Sequence, residues 1–396
     1  MRTGLPLPSL VLLPMLAASA LPGASATWDE HGGGTGLTGD WDGARIILEE
    51  NGTIIAARLL GEGGFPNPTD AGERQFTCFG EASLGLDLER WAGLPGASLY
   101  AEFQHRSGDD ILPVSALQPW SLYAVQDRDQ LGRLWYAQTL FDGLLTIKVG
   151  KEDANREFAA SPYAATFMNR GLVYSATLAT LPTWPDPATA LNVTLAADGL
   201  YAKAGLYDGR TASGTSTGNR WLHLPCNDVF AIAEVGAEWY GLGARHLAGL
   251  ALGGWRQQGD RLRADGGHQA GMQGAYVVLD RVLLAMRGKG ERGLAAFVSG
   301  GLADQRVVAV ARQIGGGVVW RGPFPTLPRD QAGIGGSWGG HGDAGDADEV
   351  VGELFYAAWP LPWLGLRADL QRYVHPGGLA AAAPAWVVGV RGEVLF

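Results

Sequence analysis

The chain has 396 residues, of which 60 are glycine and 18% are charged, and its formal net charge is −10. No uncharged apolar run after residue 30 reaches the roughly 18 residues of a membrane-spanning helix, so a bundle of such helices is excluded. Disorder is excluded because 46% of the residues are hydrophobic, including 14 Trp, 11 Tyr and 12 Phe. Lysine and arginine are not clustered, so no nucleic-acid partner is expected.

Residues 1–26 have the pattern of a secretory signal peptide. Arg2 precedes a long apolar stretch, and the small residues Ala-Ser-Ala end at Ala26. We therefore predict cleavage between Ala26 and Thr27. The remaining residues, 27–396, show no linker or change of composition and are expected to form a single domain.

A short helix and then a series of strands are predicted along the mature chain. Residues 41–51 predict the helix, which Gly52 ends. Residues 97–106 alternate with period two, placing Leu99 and Phe103 on an apolar face opposite polar side chains. The same alternation recurs at residues 145–149, at 200–207 after an Asp198-Gly199 turn, at 364–371 and at 386–396.

Alternation alone fits a soluble β-sandwich as well as a membrane barrel, whose apolar face contacts lipid and whose polar face lines a water-filled lumen. The predicted signal peptide and the composition favour the membrane barrel. Residues 27–396, at about 23 residues per strand and connection, predict an all-β, transmembrane antiparallel barrel of about 16 strands that encloses a channel. The aromatic girdles of this barrel are expected to include Trp120, Trp135, Trp184, Trp221, Trp239, Trp255, Trp320, Trp338, Trp359 and Trp386.

Two kinds of enzyme motif match this chain, as expected by chance in a sequence with 60 glycines. Residues 34–39 match a dinucleotide fingerprint, but no strand precedes them. Gly-x-Ser-x-Gly surrounds both Ser216 and Ser337, although neither has the strand, sharp turn and helix of a nucleophile elbow. No catalytic residue and no cofactor are predicted.

No metal site is predicted. The seven histidines are never three to five residues apart. Residues 341–349 contain four acids that could hold a divalent cation or form a solvated turn. Cys78 and Cys226 fit no zinc spacing; after export they could pair, or Cys78 could be a free thiol in a strand.

Several short blocks, in order along the chain, resemble the carbohydrate-selective porin family of Gram-negative outer membranes. They are Gly-Asp-Trp-Asp-Gly-Ala-Arg at 39–45, Leu-Asp-Leu-Glu at 86–89 with Ala-Gly-Leu-Pro-Gly at 92–96, Gly-Ala-Tyr at 274–276 with Asp280, Gly-Pro-Phe at 322–324 with Arg-Asp at 329–330, Glu-Leu-Phe-Tyr at 353–356, Asp-Leu-Gln at 369–371 and His-Pro-Gly-Gly at 375–378. The resemblance implies a monomeric or trimeric 16-stranded barrel through which sugars such as glucose diffuse into the periplasm. Residues 159–227 match poorly and are expected to hold long outer loops.

A neutral sugar needs hydrogen-bonding groups at its edge and an aromatic side chain nearby. The candidates are polar side chains at the inward-facing positions of the predicted strands, and those in the charged stretch at residues 148–158. The predicted pore-lining residues are Tyr100, Glu102, Gln104, Arg106, Lys148, Lys151, Glu152, Glu353, Arg367, Asp369, Gln371, Arg391 and Glu393.

The sequence therefore predicts an outer-membrane porin for passive, sugar-preferring diffusion. A general or cation-preferring porin, a barrel lipid hydrolase using Ser216 or Ser337, and a secreted β-sandwich or solenoid are the alternatives. Expected partners are small carbohydrates, outer-membrane lipid and lipopolysaccharide, and the barrel assembly machinery, which would recognise the last strand ending at Phe396.

Overall fold

The computed structural model describes residues 36–66, 74–109, 114–222, 228–241, 246–286 and 292–396. The predicted signal peptide, its cleavage site and Cys226 lie outside these residues. Within the described ranges, no helix is both long and apolar enough to cross a membrane. Cys78 is half-buried in a strand.

The described residues form sixteen strands that close into one antiparallel barrel, in which β1 pairs with β16. The strands are β1 (Thr53–Pro66), β2 (Gln75–Asp87), β3 (Ala97–Gly108), β4 (Arg128–Leu140), β5 (Leu145–Glu152), β6 (Ala188–Ala197), β7 (Leu200–Asp208), β8 (Val229–Tyr240), β9 (His246–Leu262), β10 (His268–Ala285), β11 (Gly293–Ala303), β12 (Val310–Arg321), β13 (Gln331–His341), β14 (Glu349–Leu361), β15 (Leu364–Val374) and β16 (Ala385–Leu395). The helices are α1 (Ala44–Glu50), α2 (Leu88–Ala92), α3 (Ala154–Glu157) and α4 (Arg170–Val173). Both the predicted barrel and the helix before its first strand are confirmed, and the sandwich interpretation is wrong.

The strands have apolar side chains outside and polar side chains inside. In β3, Phe103 is 50% exposed on the outer face, whereas Glu102 and Gln104 are buried on the inner face. In β16, Val388 and Val390 are likewise exposed outside. Such a surface is stable in contact with lipid, where the hydrogen bonds of a closed barrel leave no unpaired strand edge.

The expected tryptophan girdles are only partly correct. Trp239 and Trp320 are exposed on the outer face near strand ends. In contrast, four of the tryptophans are buried inside the barrel: Trp120, Trp135, Trp184 and Trp255. Trp120 and Trp184 belong to chain segments that fold into the lumen. Trp135 and Trp255 lie at inward positions of β4 and β9.

The two ends of the barrel differ in their connections. One end holds α1, the last strand's end and short turns, such as Asp198-Gly199, whose φ angles of 52° and 81° fit the predicted hairpin. The longer connections lie at the other end. Outer-membrane barrels place short turns in the periplasm and long loops outside the cell, so we refer to the periplasmic end and the loop end.

Two connections from the loop end fold into the lumen. We call residues 114–127 the first inner segment and residues 153–187 the second inner segment. Phe158 and Leu178 of the second inner segment pack with inward side chains of β8 and β9, including Phe230 and Trp255, in the largest apolar cluster. The hydrophobic core therefore lies inside the barrel; its largest cluster faces β6–β12, and smaller clusters pack the inner segments against β11–β14, β14–β16 and β1–β2.

Candidate functional site

A cavity of about 210 Å³ lies between the two inner segments and the wall formed by β1–β3 and β12–β16. Wall strands and inner segments contribute charged and aromatic side chains to its lining. We call the following set the constriction: Arg58, Phe79, Glu81, Tyr123, Trp184, Arg391 and Glu393.

Three aromatic rings form one side of the constriction. Phe79 of β2 lies 4.4 Å from Tyr123 and 4.8 Å from Trp184, measured between ring centroids. The indole N–H of Trp184 donates to the carbonyl of Leu122 at 2.9 Å, which fixes the orientation of the ring. Burial raises the pKa of the Tyr123 hydroxyl above its usual value.

Arginines and glutamates alternate beside these rings. Arg58 lies 3.0 Å from Glu81 and 3.3 Å from Glu393, and it donates to the Tyr123 hydroxyl at 2.9 Å. Arg391 donates to a glutamate of β1 at 2.6 Å and lies over the Tyr123 ring. Guanidinium groups donate and carboxylates accept, so this arrangement offers both kinds of partner to hydroxyl groups, next to apolar ring faces.

A second group of charges lies on the wall between β3 and β5. Arg133 pairs with Glu102, and Lys148 pairs with Glu152 at 3.1 Å and with Glu157 of the second inner segment. Burial works against the charge of Glu157, but the ammonium of Lys148 outweighs it and lowers the pKa of this carboxyl below its usual value. These charges bind one another, and they attach α3 to the wall.

Glu353 of β14 holds the second inner segment by its backbone. Its carboxylate accepts hydrogen bonds from the N–H groups of Met168 and Asn169, each at 2.8 Å. It also accepts from Arg367 at 2.7 Å, and Arg367 reaches Asp369 at 2.9 Å. Glu353 is 2% exposed, so its carboxylate forms its hydrogen bonds inside the protein.

Two further buried glutamates act in the same way. Glu349 accepts from the backbone N–H groups of Leu117 and Gln118 in the first inner segment, each at 2.8 Å. Glu234 of β8 accepts from the N–H of Ala159 in the second inner segment at 2.8 Å. Carboxylates of the wall thus attach both inner segments at several points.

The comparisons with known proteins identify the family. A model described as "Carbohydrate-selective porin, OprB family" matches residues 80–396. This chain belongs to the OprB family of carbohydrate-selective porins.

Known outer-membrane proteins match this chain over most of its length and of theirs. Porin B of Pseudomonas aeruginosa is 25% identical over 419 residues, which cover 91% of both chains. The high-pH structure of Pseudomonas putida OprB has a TM-score of 0.82 at 20% identity, covering 92% of this chain and 99% of that chain. OmpT of Vibrio cholerae has a TM-score of 0.51 at 12% identity, covering 87% and 99%. The protein is an outer-membrane channel of a Gram-negative bacterium and not an enzyme.

The predicted lumen residues of this porin fall into two groups. Four line the 210 Å³ cavity: Gln104, Arg367, Arg391 and Glu393. The other nine are bound in the wall or to the inner segments: Tyr100, Glu102, Arg106, Lys148, Lys151, Glu152, Glu353, Asp369 and Gln371. Lys151, for example, donates to the backbone carbonyls of Gly218 and Arg220 at 2.5 and 2.9 Å.

Sequence reasoning missed several residues of the constriction. Arg58 and Glu81 lie on inward positions of β1 and β2, and the alternation in these strands could have identified them. Tyr123 and Trp184 lie in the inner segments, where no periodic pattern indicates which side chains face the channel.

The serines and acids singled out in the sequence have structural partners in this porin. Ser337 is buried in β13 and donates to Gln118 at 2.5 Å, while Ser216 donates to Asp186 at 2.7 Å. In the acidic stretch, Asp348 accepts from the indole N–H of Trp338 at 3.2 Å. The lipid hydrolase hypothesis is wrong because the family and the relatives are channels.

Proposed function

We propose that this porin admits small neutral sugars by passive diffusion and prefers them over other solutes of similar size. The observation that supports this proposal is the constriction, where three aromatic rings lie beside alternating guanidinium and carboxylate groups. A sugar ring could stack its apolar face on Trp184 or Tyr123, while its hydroxyl groups exchange hydrogen bonds with Arg58 and Glu81.

Weak binding is essential to this function, because a solute must leave the constriction as readily as it enters. The charged groups already pair with one another, so a sugar would replace part of an existing network and gain only a modest net free energy. The pore-lining role of Gln104, Arg367, Arg391 and Glu393 is part of the same proposal.

The test is single-channel current through the purified porin in a planar bilayer, titrated with glucose, a disaccharide and an amino acid. Sugars should interrupt the current at millimolar concentration, and the amino acid should not. In Trp184→Leu, block by glucose should weaken about fivefold to tenfold, because an aromatic contact contributes about 1 kcal/mol.

Trp386→Leu is the matched control, because Trp386 lies on the outer face against Arg372 and away from the lumen. Glucose block equal to that of wild type in Trp184→Leu, with an unchanged open-channel current, would contradict the proposed stacking. Open channels that no sugar blocks would instead indicate a general porin.

A general, cation-preferring porin is the second candidate. Glu62, beside the constriction, binds Arg391, and Glu81 and Glu393 bind Arg58, so these five side chains carry three carboxylates and two guanidinium groups. Selectivity for potassium over chloride, without block by glucose, would favour this candidate.

A further inference from the structure

A row of inward side chains descends from the constriction towards the periplasmic end of the barrel. The strand register aligns one residue from each of five neighbouring strands, β16 to β12: Arg391, Arg367, Ala357, Gln331 and Arg321. We call these five residues the descending row, and all of them line the cavity. Arg391 lies within β16, whereas Gln331 and Arg321 stand at the periplasmic ends of β13 and β12. The cavity therefore extends from the constriction to the periplasmic ends of these two strands.

The second inner segment forms the opposite wall of this part of the cavity. Arg321 donates to the carbonyl of Pro162 at 3.2 Å, and Arg367 donates to the carbonyl of Thr166. These two arginines lie on β12 and β15, three strand spacings or about 14 Å apart. Between them the row consists of Gln331 and Ala357, and the side chain of alanine is small. The two arginine contacts therefore bound a space that has an amide at its wall.

An aromatic ring lies on the periplasmic side of this space. Trp359 comes two residues after Ala357 on β14 and lines the same cavity. Its ring lies against Gly365 of β15, where a β-carbon would meet the ring at 3.1 Å. Gly365 is two residues, or about 7 Å, from Arg367 along the strand. The backbone N–H of Trp359 donates to the buried Asp330 at 2.9 Å, which holds this part of β14 in place. An aromatic ring, an amide and a guanidinium group therefore converge on one space.

The charges of the descending row suit a neutral solute. Arg367 binds Glu353 at 2.7 Å and Asp369 at 2.9 Å, and Arg391 binds Glu62 at 2.6 Å. All three carboxylates are buried, with at most 4% of each residue exposed. An anion would meet guanidinium groups whose charge is already balanced, whereas hydroxyl groups require only hydrogen-bond donors and acceptors. These groups therefore favour a neutral solute that carries hydroxyls.

We propose that the space beside Ala357 is a second sugar site, an inference that rests on the proposed passage of sugars through the constriction. A hexose in this site stacks on Trp359 and exchanges hydrogen bonds with Gln331 and Arg367. The site lies between the constriction and the periplasm, so a sugar that leaves the constriction binds here before it exits. Two weak sites in series speed passage, because the solute does not break all its contacts in one step.

The proposal is tested by the duration of glucose block in single channels of the purified full-length porin. In wild type, the blocked intervals should show two lifetimes, one for each site. Trp359→Leu should shorten one lifetime about fivefold and leave the other unchanged, as expected when a bound sugar loses one aromatic contact. Trp184→Leu should shorten the other lifetime. With glucose on only one side of the bilayer, the lifetime that depends on Trp359 should dominate from one side and not from the other.

Trp320→Leu is the matched control, because Trp320 lies beside Arg321 at the same end of the barrel but on the outer face. It should give both lifetimes of wild type. Trp359→Phe keeps an aromatic ring and should retain most of the lifetime that Trp359→Leu shortens, so it separates loss of stacking from misfolding.

Ala357→Leu fills the proposed site without changing charge, and it should remove the same lifetime. Ala358→Leu places the same side chain on the outer face of β14 and should behave as wild type. Unchanged lifetimes in Trp359→Leu and Ala357→Leu, together with a shortened lifetime in Trp184→Leu, would overturn the second site and leave the constriction as the only sugar site. A wild-type channel that no sugar blocks would overturn the proposed function itself, and the second site with it.

Discussion

Glu353 shows how one residue links the barrel wall to the channel. Its carboxylate binds two backbone N–H groups of the second inner segment and the guanidinium of Arg367, which itself lines the cavity. The sequence placed Glu353 correctly on an inward position of its strand. It could not show that the partner is the backbone of a segment some 185 residues away, because backbone groups carry no signature in the sequence.

Glu353→Gln should destabilise the porin and widen its channel. The amide removes the charge that Arg367 pairs with and cannot accept both backbone hydrogen bonds as well, so the cost should be about 3 kcal/mol. We expect a lower urea midpoint of unfolding and a larger or noisier single-channel current. Glu50→Gln, on the exposed end of α1, is the control. Unchanged current and stability in Glu353→Gln would show that the attachment is unimportant.

The second inner segment lies within the lumen and lines part of the cavity. It packs an apolar side against β8–β10 and presents residues such as Asp153, Arg156 and Trp184 to the cavity. The sequence predicts long outer loops in residues 159–227. This region instead contains much of the segment within the lumen and the two strands β6 and β7. A loop of irregular backbone has no periodicity, so its inward course could not be predicted.

Acid should release one attachment of this segment. Lys148 lowers the pKa of Glu157, whereas in an unfolded chain a glutamate has a pKa of about 4.3. The stabilisation by ionised Glu157 is therefore complete above about pH 4.3 and is lost as the pH falls through the lower folded pKa. Glu157→Gln should melt at a lower temperature than wild type at pH 7, and the difference should shrink towards pH 2. A difference that is constant with pH would contradict this linkage.

The whole barrel closes where its first and last strands meet. Arg45 of α1 is buried at this junction and donates to the carbonyls of Ile55 and Phe396, each at 3.2 Å. The N–H of Phe396 donates to the carbonyl of Ala57 at 2.9 Å. Recognition of this last strand by the assembly machinery remains a prediction.

Arg45→Gln should weaken barrel closure, because it removes the guanidinium that contacts β1 and the end of β16 together. When samples are heated before gel electrophoresis, the folded variant should change to the mobility of the unfolded chain at a lower temperature than the folded wild type does. Arg90→Gln, at an exposed arginine beside the same end of the barrel, should behave as wild type. Equal conversion temperatures for Arg45→Gln and wild type would show that the hydrogen bonds of Arg45 do not stabilise the junction.

The sequence predicted the wall far better than the channel. Alternation in β3, β5, β15 and β16 follows directly from the contact of one face with lipid and the other with the lumen. Strand parity also gives the direction of a side chain. It does not show which inward side chains are exposed to solvent. The inner segments cover some of them, and the course of these segments has no periodic signature in the sequence.

The largest apolar cluster joins the second inner segment to strands that are close to it in the sequence. The second inner segment precedes β6 directly, and its partners in the largest apolar cluster lie on strands that follow it, between β6 and β12. Contacts between segments close in the sequence form at a small cost in chain entropy. The contacts that complete the barrel join residues as distant as Arg58 and Glu393. We therefore expect the part of the barrel around the largest cluster to organise first and to serve as the template on which the strands near β1 and β16 are completed.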